Sequence, residues 1–331
     1  MKITVVGAGS WGTALANMLA QAGHEVVIWA HEPEVAAAIS SNRENPLFLP
    51  GCSLETTLKA TNDLDAAIGH GELLVLAVPS HVLASVVERF GPKLAAESPL
   101  MVCATKGIET SSLRLMSEVI QDLIPGARFV ALSGPSFAKE VYQGQPTAVV
   151  AAGSTAAAEL VQQVFATPRF RVYTSTDVIG VEVGGAMKNV IAIASGVLSG
   201  LGLGHNPRAA LVTRGLAEIT RLGVAMGGEA ATFAGLAGMG DLILTTYGEL
   251  SRNRSLGEAL AHGTTVEQWQ DTHRVVAEGV NATKAAVRIA ELKGVVLPIT
   301  TQVYELLVQR TTPEQAVAEL MGRNLKAENQ S

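Results

Sequence analysis

The residues best placed to do chemistry begin at Gly7-Ala8-Gly9-Ser10-Trp11-Gly12. This G-x-G-x-x-G comes after an apolar run that starts at Ile3. It opens a stretch with Ala14, Leu15 and Met18 on one helical face. In that strand-to-helix context the spacing has a mechanical meaning. Gly7 permits a tight turn, Gly9 lets the backbone approach a pyrophosphate, and Gly12 allows helix and sheet to pack closely. The free N–H groups of the helix start then face the anion. The bland reading is a glycine-rich turn without a ligand. The second strand ends Ile28-Trp29-Ala30-His31-Glu32. An acid at this tip holds the ribose 2′-OH of NAD and repels a 2′-phosphate. His31 takes that position, which leans towards NADP(H) and leaves NAD(H) open; His31 is otherwise an ordinary exposed loop residue.

Other chemistry-bearing groups lie further along the chain. Lys106 comes just after an apolar run ending near Ala104, and Ser133-Gly134-Pro135-Ser136-Phe137-Ala138 comes after another. Groups at such strand ends sit where open α/β sheets bind ligands. Gly134 exposes backbone N–H groups and Ser136 offers a hydroxyl; either loop is otherwise a plain turn. Lys188 is the odd residue in Gly184-Gly185-Ala186-Met187-Lys188-Asn189-Val190. It either snorkels to solvent or serves as a desolvated base. Burial and a neighbouring cation such as Lys106 push a lysine towards neutrality near pH 7. Asn189 could hydrogen-bond beside it. Asp241, flanked by Gly238 and Gly240, either caps a helix or orients a lysine or a substrate hydroxyl. Ser251-Arg252-Asn253-Arg254 suits phosphate, because guanidinium forks match its oxygens; it also suits a solvated loop.

The elements that must position these groups fall into two textures. Strands are expected at 3–6, 25–29, 73–78, 100–104, 128–132, 147–151 and 170–173. Helices are expected between them at 14–22, 81–90, 112–124 and 156–165. Continuous apolar runs point to parallel strands covered on both faces, and the alternation to βαβ units in a doubly wound α/β domain. After about Asp177 only helices are expected, at 178–199, 207–226, 230–237, 255–261, 280–293, 298–309 and 313–321. The expected organisation is a dinucleotide-binding domain over 1–177, an all-helical substrate domain over 178–323, and a polar tail over 324–331.

Composition narrows the function. With 24 Lys plus Arg against 30 Asp plus Glu, the net charge is −6. A general nucleic-acid binder is not expected from that balance. At 48% hydrophobic and 16% charged residues the chain can bury a sizeable core. Cys52 and Cys103 make no disulfide scaffold and suit a reducing compartment. The start, Met1-Lys2-Ile3-Thr4-Val5-Val6, lacks a signal peptide's long apolar region. The apolar stretch at 190–204 is too short for a membrane span and reads as a buried helix. A cytoplasmic protein without a membrane span and without a metal site is expected.

Taken in order, GAGSWGTALA, ATKGIE, GPSFAKE, GGAMKNVIAIASG, AGMGDLILT, SRNR and VVAEG make the chain resemble bacterial-type NAD(P)-dependent glycerol-3-phosphate dehydrogenase. The resemblance runs from Met1 to about Arg323. It implies a Rossmann-type domain succeeded by a helical domain of the 6-phosphogluconate dehydrogenase type, and a homodimer. It implies cofactor contacts at Ser10, Trp11, His31, Lys106 and Ala138, with Arg252, Val276 and Glu278 from the second domain. It implies a substrate site of Lys106, Gly134, Ser136, Lys188, Asp241, Ser251, Arg252 and Asn253, with Lys188 as proton acceptor. The implied reaction interconverts dihydroxyacetone phosphate and sn-glycerol 3-phosphate, which supplies the phospholipid backbone. One departure stands out: after Asp241 the family commonly reads LTCTS, where this chain has Leu244-Thr245-Thr246-Tyr247-Gly248. The alternatives are another β-hydroxyacid-type dehydrogenase acting on a carboxylate, or a dinucleotide-sensing protein without turnover.

Overall fold

The computed structural model describes residues 1–94, 98–273, 277–325 and 327–328. The chain divides into two compact units. One comprises Met1–Thr105 with Met116–Val178, the other Lys106–Leu115 with Ile179–Ser331. The expected division near Asp177 therefore differs in one segment, 106–115. The reason is packing. Ile108 and Leu115 form an isolated bridge and bury among the apolar side chains of the helical unit, and Arg288 Nη1 donates to the Thr110 carbonyl at 3.2 Å. Of the expected tail, Lys326 and residues 329–331 lie outside the described residues.

Among the described residues the first unit has ten strands: β1 (Lys2–Val6), β2 (Glu25–Trp29), β3 (Glu44–Asn45), β4 (Leu49–Ser53), β5 (Lys59–Thr61), β6 (Leu73–Leu76), β7 (Leu100–Cys103), β8 (Arg128–Ser133), β9 (Thr147–Gly153) and β10 (Phe170–Ser175). Eight form one sheet in the order β10-β9-β8-β7-β6-β1-β2-β5, while β3 and β4 pair separately. The switch point lies beside β1, which pairs in parallel with β2 and β6. All four residues of β6 and of β7 are buried, as covered parallel strands require. The short strands β3, β4 and β5 were not anticipated, because they contain charged or turn-type residues and little apolar periodicity.

One pairing breaks the parallel pattern: β9 runs antiparallel to β8, and β10 then runs parallel to β9. Connection length explains it. The link from β8 to β9 contains only the five-residue helix Ala138–Tyr142. At 1.5 Å per residue that spans roughly 8 Å, too little to retrace a strand of about 20 Å. The chain therefore re-enters from the edge it left. The 11-residue helix Thr155–Phe165 is long enough to carry it back before β10.

The second unit is helical around a core helix, Val178–Gly200. At 23 residues this helix is long and apolar enough to cross a membrane, but 89% of its most apolar window is buried inside the protein. It is thus a core helix, longer than the apolar stretch that marked it. Two helices unforeseen from the sequence, Asp241–Tyr247 and Val266–Thr272, complete the packing along with Arg252–Ala261, Glu278–Lys293 and Pro298–Leu307.

A buried carboxylate organises part of this unit. Glu218, in the helix His205–Ala225, accepts N–H bonds from Ile299 at 2.6 Å and Thr300 at 3.1 Å, and the Thr300 hydroxyl at 3.0 Å. It satisfies the orphan donors of the helix that begins at Pro298. Burial pushes the Glu218 carboxyl above the usual carboxylate range, against the pull of these donors. Glu218→Ala leaves two buried N–H groups without a partner and should destabilise the protein by roughly 3 kcal/mol. The urea midpoint should fall at unchanged slope; a midpoint equal to that of the parent protein would refute the capping role.

Candidate active site

The sheet unit carries the glycine loop. Gly7 has φ +114, a conformation natural to glycine, and a Cβ on Gly12 would lie 2.0 Å from the Gly7 carbonyl oxygen. Strand, turn and helix can therefore meet only with glycine at these positions. Nothing lies within 4 Å of a Cβ built on Gly9. The helix Ser10–Gln21 starts there with no side-chain cap, so its first N–H groups stay available to an anion. The Trp11 indole packs with Ala138 and Tyr142 around Ala14, Leu49 and Cys52. Its Nε1 is buried without a hydrogen-bond partner. The Ser10 hydroxyl donates to the Phe48 carbonyl at 2.5 Å. These features fit a dinucleotide pyrophosphate. His31 is exposed beyond the tip of β2. Gly134 and Ser136 come directly after β8, with the Ser136 hydroxyl donating to the Gly134 carbonyl at 3.1 Å.

The helical unit brings together three residues that are far apart in sequence. Asp241 has no exposed side-chain surface. It accepts from Lys106 Nζ at 2.6 Å on Oδ2 and from Lys188 Nζ on Oδ1. Burial alone would push the Asp241 carboxyl up, but the Lys106 and Lys188 ammoniums outweigh it and hold the group below the usual range. Lys188 is held down to about 7, chiefly by burial and further by Lys106, with Asp241 opposing. A cluster of two cations and one anion thus contains an amine that exchanges its proton near neutrality. The lysines keep 17% and 10% of their side-chain surfaces exposed, so both can be reached while Asp241 cannot.

Local geometry explains how Asp241 arrives there. Residues Leu236–Gly240 form a π-turn directly ahead of the helix Asp241–Tyr247. Such a turn adds a residue per turn and rotates the helix that begins after it. It fits closely on the core helix: a Cβ on Gly184 would lie 2.7 Å from the Ala237 carbonyl oxygen. Lys188 sits four residues beyond Gly184, on the same face. The departure at 244–248 is absorbed without a loop. Leu244 to Tyr247 continue the helix, and Thr245 Oγ1 donates to the Asp241 carbonyl at 2.7 Å. Thr245 also lies 3.4 Å from Asp241 Oδ1, a contact no motif had flagged.

A second cluster forms around Arg252. The Ser251 hydroxyl caps the helix Arg252–Ala261 by accepting the Arg254 N–H. Asn253 is buried, donating to Asn189 Oδ1 at 2.9 Å and accepting from the Gly279 N–H at 2.9 Å. Arg254 pairs with Glu258 at 2.7 Å. Arg252 itself is exposed, with the Glu278 carboxylate acting on it electrostatically. Ser251 and Asn253 therefore hold the turn, and Arg252 is the member presented outward. Val276 lies outside the described residues.

Comparison with known proteins agrees with both units. The profile of the NAD-dependent glycerol-3-phosphate dehydrogenase N-terminus matches residues 2–159, and that of its C-terminus matches residues 177–318. The chain is 53% identical to a glycerol-3-phosphate dehydrogenase [NAD(P)+] of Citrifermentans bemidjiense, covering 99% of this chain and 98% of that one. The crystal structure of glycerol-3-phosphate dehydrogenase from Coxiella burnetii superposes with a TM-score of 0.93 at 38% identity, covering 97% and 98% of the two chains. A structure of the Saccharomyces cerevisiae enzyme gives 0.82 at 26% identity, covering 98% and 99%. By sequence over nearly its full length and by fold, the chain belongs to the NAD-dependent glycerol-3-phosphate dehydrogenase family.

Proposed function

We infer that the protein interconverts dihydroxyacetone phosphate and sn-glycerol 3-phosphate with NAD(P)H, supplying glycerol phosphate for phospholipid synthesis. The observation that carries the mechanism is the Lys106–Asp241–Lys188 cluster. A bound nicotinamide supplies the hydride in reduction and accepts it in oxidation. Lys188 donates a proton to the developing alkoxide in reduction and removes the hydroxyl proton in oxidation. Lowering its pKa from the ordinary 10.5 to about 7 raises the neutral fraction at pH 7 by roughly three orders of magnitude. The Lys106 ammonium stabilises negative charge on the reacting oxygen. Asp241, with no surface to offer a ligand, is read as a positioning residue that keeps two like charges side by side. Arg252 holds the phosphate, and Ser251 and Asn253 hold Arg252 in place.

In the sheet unit, Gly7, Gly9, Ser10, Trp11 and Gly12 cradle the pyrophosphate, with Ala138 beside Trp11. Gly134 and Ser136 serve the substrate. Glu278 acts through Arg252. The extension to a cytoplasmic homodimer rests on the family resemblance alone.

The direct test monitors NADH and NADPH absorbance separately with dihydroxyacetone phosphate, alongside a panel of 2-keto and 3-keto acids. Turnover restricted to the keto acids would overturn the assignment, as would binding without turnover. Lys188→Ala should lower kcat by roughly 10²–10⁴-fold and leave nucleotide affinity within about twofold; near-parental kcat would remove Lys188 from the chemistry.

The pH dependence has a definite sign. Oxidation needs neutral Lys188, so kcat/KM for glycerol 3-phosphate should decline as pH falls below about 7. Lys106→Met removes a cation that holds Lys188 down. The residual activity should then show its acidic limb at higher pH. A limb that stays in place would show that another group titrates.

A further inference from the structure

We propose that Asn45 is a positioning residue that aims the Gly9 N–H at the nucleotide pyrophosphate by holding the carbonyl of the same peptide inward. The proposal rests on the dinucleotide reading of the glycine loop. Gly7 and Gly9 flank Ala8, and a Cβ built on Gly9 would meet nothing within 4 Å. Glycine backbone is permissive, so sterics alone do not fix which way the Ala8–Gly9 peptide faces. Asn45 supplies the missing constraint. It has no exposed surface. Its Nδ2 donates to the Ala8 carbonyl at 2.8 Å and to Thr13 Oγ1 at 2.8 Å. The Thr13 hydroxyl donates to the same carbonyl at 3.2 Å. In a planar trans peptide the N–H points opposite to the C=O. With the Ala8 carbonyl drawn towards buried Asn45, the Gly9 N–H is turned to the opposite side, where Gly9 is partly exposed.

The Asn45 amide can serve in one orientation only. Its Oδ1 accepts the Phe48 N–H at 3.0 Å. Exchanging oxygen and nitrogen would set acceptor against acceptor at Ala8 and donor against donor at Phe48. Both amide hydrogens and the oxygen are committed within the protein, so Asn45 acts through the loop and does not touch a ligand. Local backbone delivers it there. Arg43 ends the helix Pro33–Asn42 in the left-handed region, at φ +56. The pairing of β3 with β4 then shifts register between Glu44 and Asn45. Such an irregularity re-aims a side chain. Glu44 Oε1 accepts the Gly51 N–H at 2.8 Å across the hairpin, while Asn45 is buried. The same turn also takes the Ser10 hydroxyl on the Phe48 carbonyl. The segment 45–48 thus grips the residues on either side of Gly9 and leaves Gly9 between them. An anion then meets an N–H already aimed, and binding does not bear the cost of ordering the glycines.

Calorimetric titration of the full-length protein with ADP and with adenosine tests the aim of this N–H, since only ADP carries the diphosphate. Asn45→Asp is nearly isosteric and keeps an acceptor for Phe48, but it sets oxygen against the Ala8 carbonyl. It should weaken ADP binding roughly tenfold, the scale of one hydrogen bond to a charged group, and leave adenosine within about twofold. Asn45→Ala should match it. Thr13→Val removes only the second donor to Ala8 and should weaken ADP by a smaller factor in the same direction. In protein carrying isotope-labelled glycine, the Gly9 amide resonance should shift on adding ADP, and that shift should shrink in Asn45→Asp. Parental ADP affinity in Asn45→Asp overturns the proposal. Equal weakening of ADP and adenosine does so too, because it marks Asn45 as a packing residue only. Should both Asn45 variants fail to fold, parental ADP affinity in Thr13→Val overturns it instead. If the parent protein binds ADP no better than adenosine, the dinucleotide reading of the glycine loop falls as well; if the parent prefers ADP and the variants keep that preference, only the role of Asn45 falls.

Discussion

A carboxylate with no exposed surface survives inside a protein only if its charge is answered, and Asp241 is answered twice. An unpaired buried ion is destabilising by several kcal/mol, so each lysine bound to Asp241 is also a condition of its burial. The dependence runs the other way too. Two ammoniums would not rest beside one another in a low-dielectric site without an anion between them. The cluster keeps a surplus of one positive charge, and that surplus is relieved where the proton leaves most easily, at Lys188. An amine that titrates near neutrality and a fixed positive charge beside it thus come from one electrostatic arrangement.

Much of the helical unit reads as support for that arrangement. The core helix is built from Gly, Ala and Val rather than aromatics, so neighbouring backbones come within contact distance. A π-turn can then press on it and deliver Asp241 to the face that carries Lys188. The next residue of that helix, Asn189, ties the Arg252 turn to the start of the helix Glu278–Lys293 through Asn253. One helix therefore sets the position of Lys188 and of the Arg252 turn together. The scarcity of aromatics, 4% of the chain, is a consequence of packing by close backbone approach.

How much of this was legible in the sequence depends on how local each signal is. The glycine loop was legible because the turn and the helix start occupy six consecutive residues. The covered strands were legible because β6 and β7 are unbroken apolar runs, and β2 falls on the expected residues 25–29. The reversal at β9 was not, because it depends on the length of a helix that the pattern does not reveal. The helix Asp241–Tyr247 was missed because Ile243 and Tyr247 stay exposed, which blurs its periodicity. Lys106, Lys188 and Asp241 were each singled out, yet their meeting at one carboxylate is a tertiary fact. Ser251 and Asn253 were singled out for phosphate chemistry, but the bonds by which they also hold the local turn are tertiary and helix-cap facts.

The segment Lys106–Leu115 has a consequence for how the molecule is made. It is synthesised in the middle of the sheet unit, between β7 and β8, yet it packs with the helical one. Lys106 must wait 135 residues of synthesis for Asp241. The nascent sheet can therefore assemble around a ten-residue excursion whose own partners do not yet exist. No single cut in the gene separates the two units. A fragment starting at Ile179 would bury Asp241 against one lysine instead of two, and it would lack the Ile108–Leu115 bridge that fills its core. Exchange of whole halves between relatives would cross the same seam, so a chimaera joined near residue 178 inherits its lysine pair from two different parents.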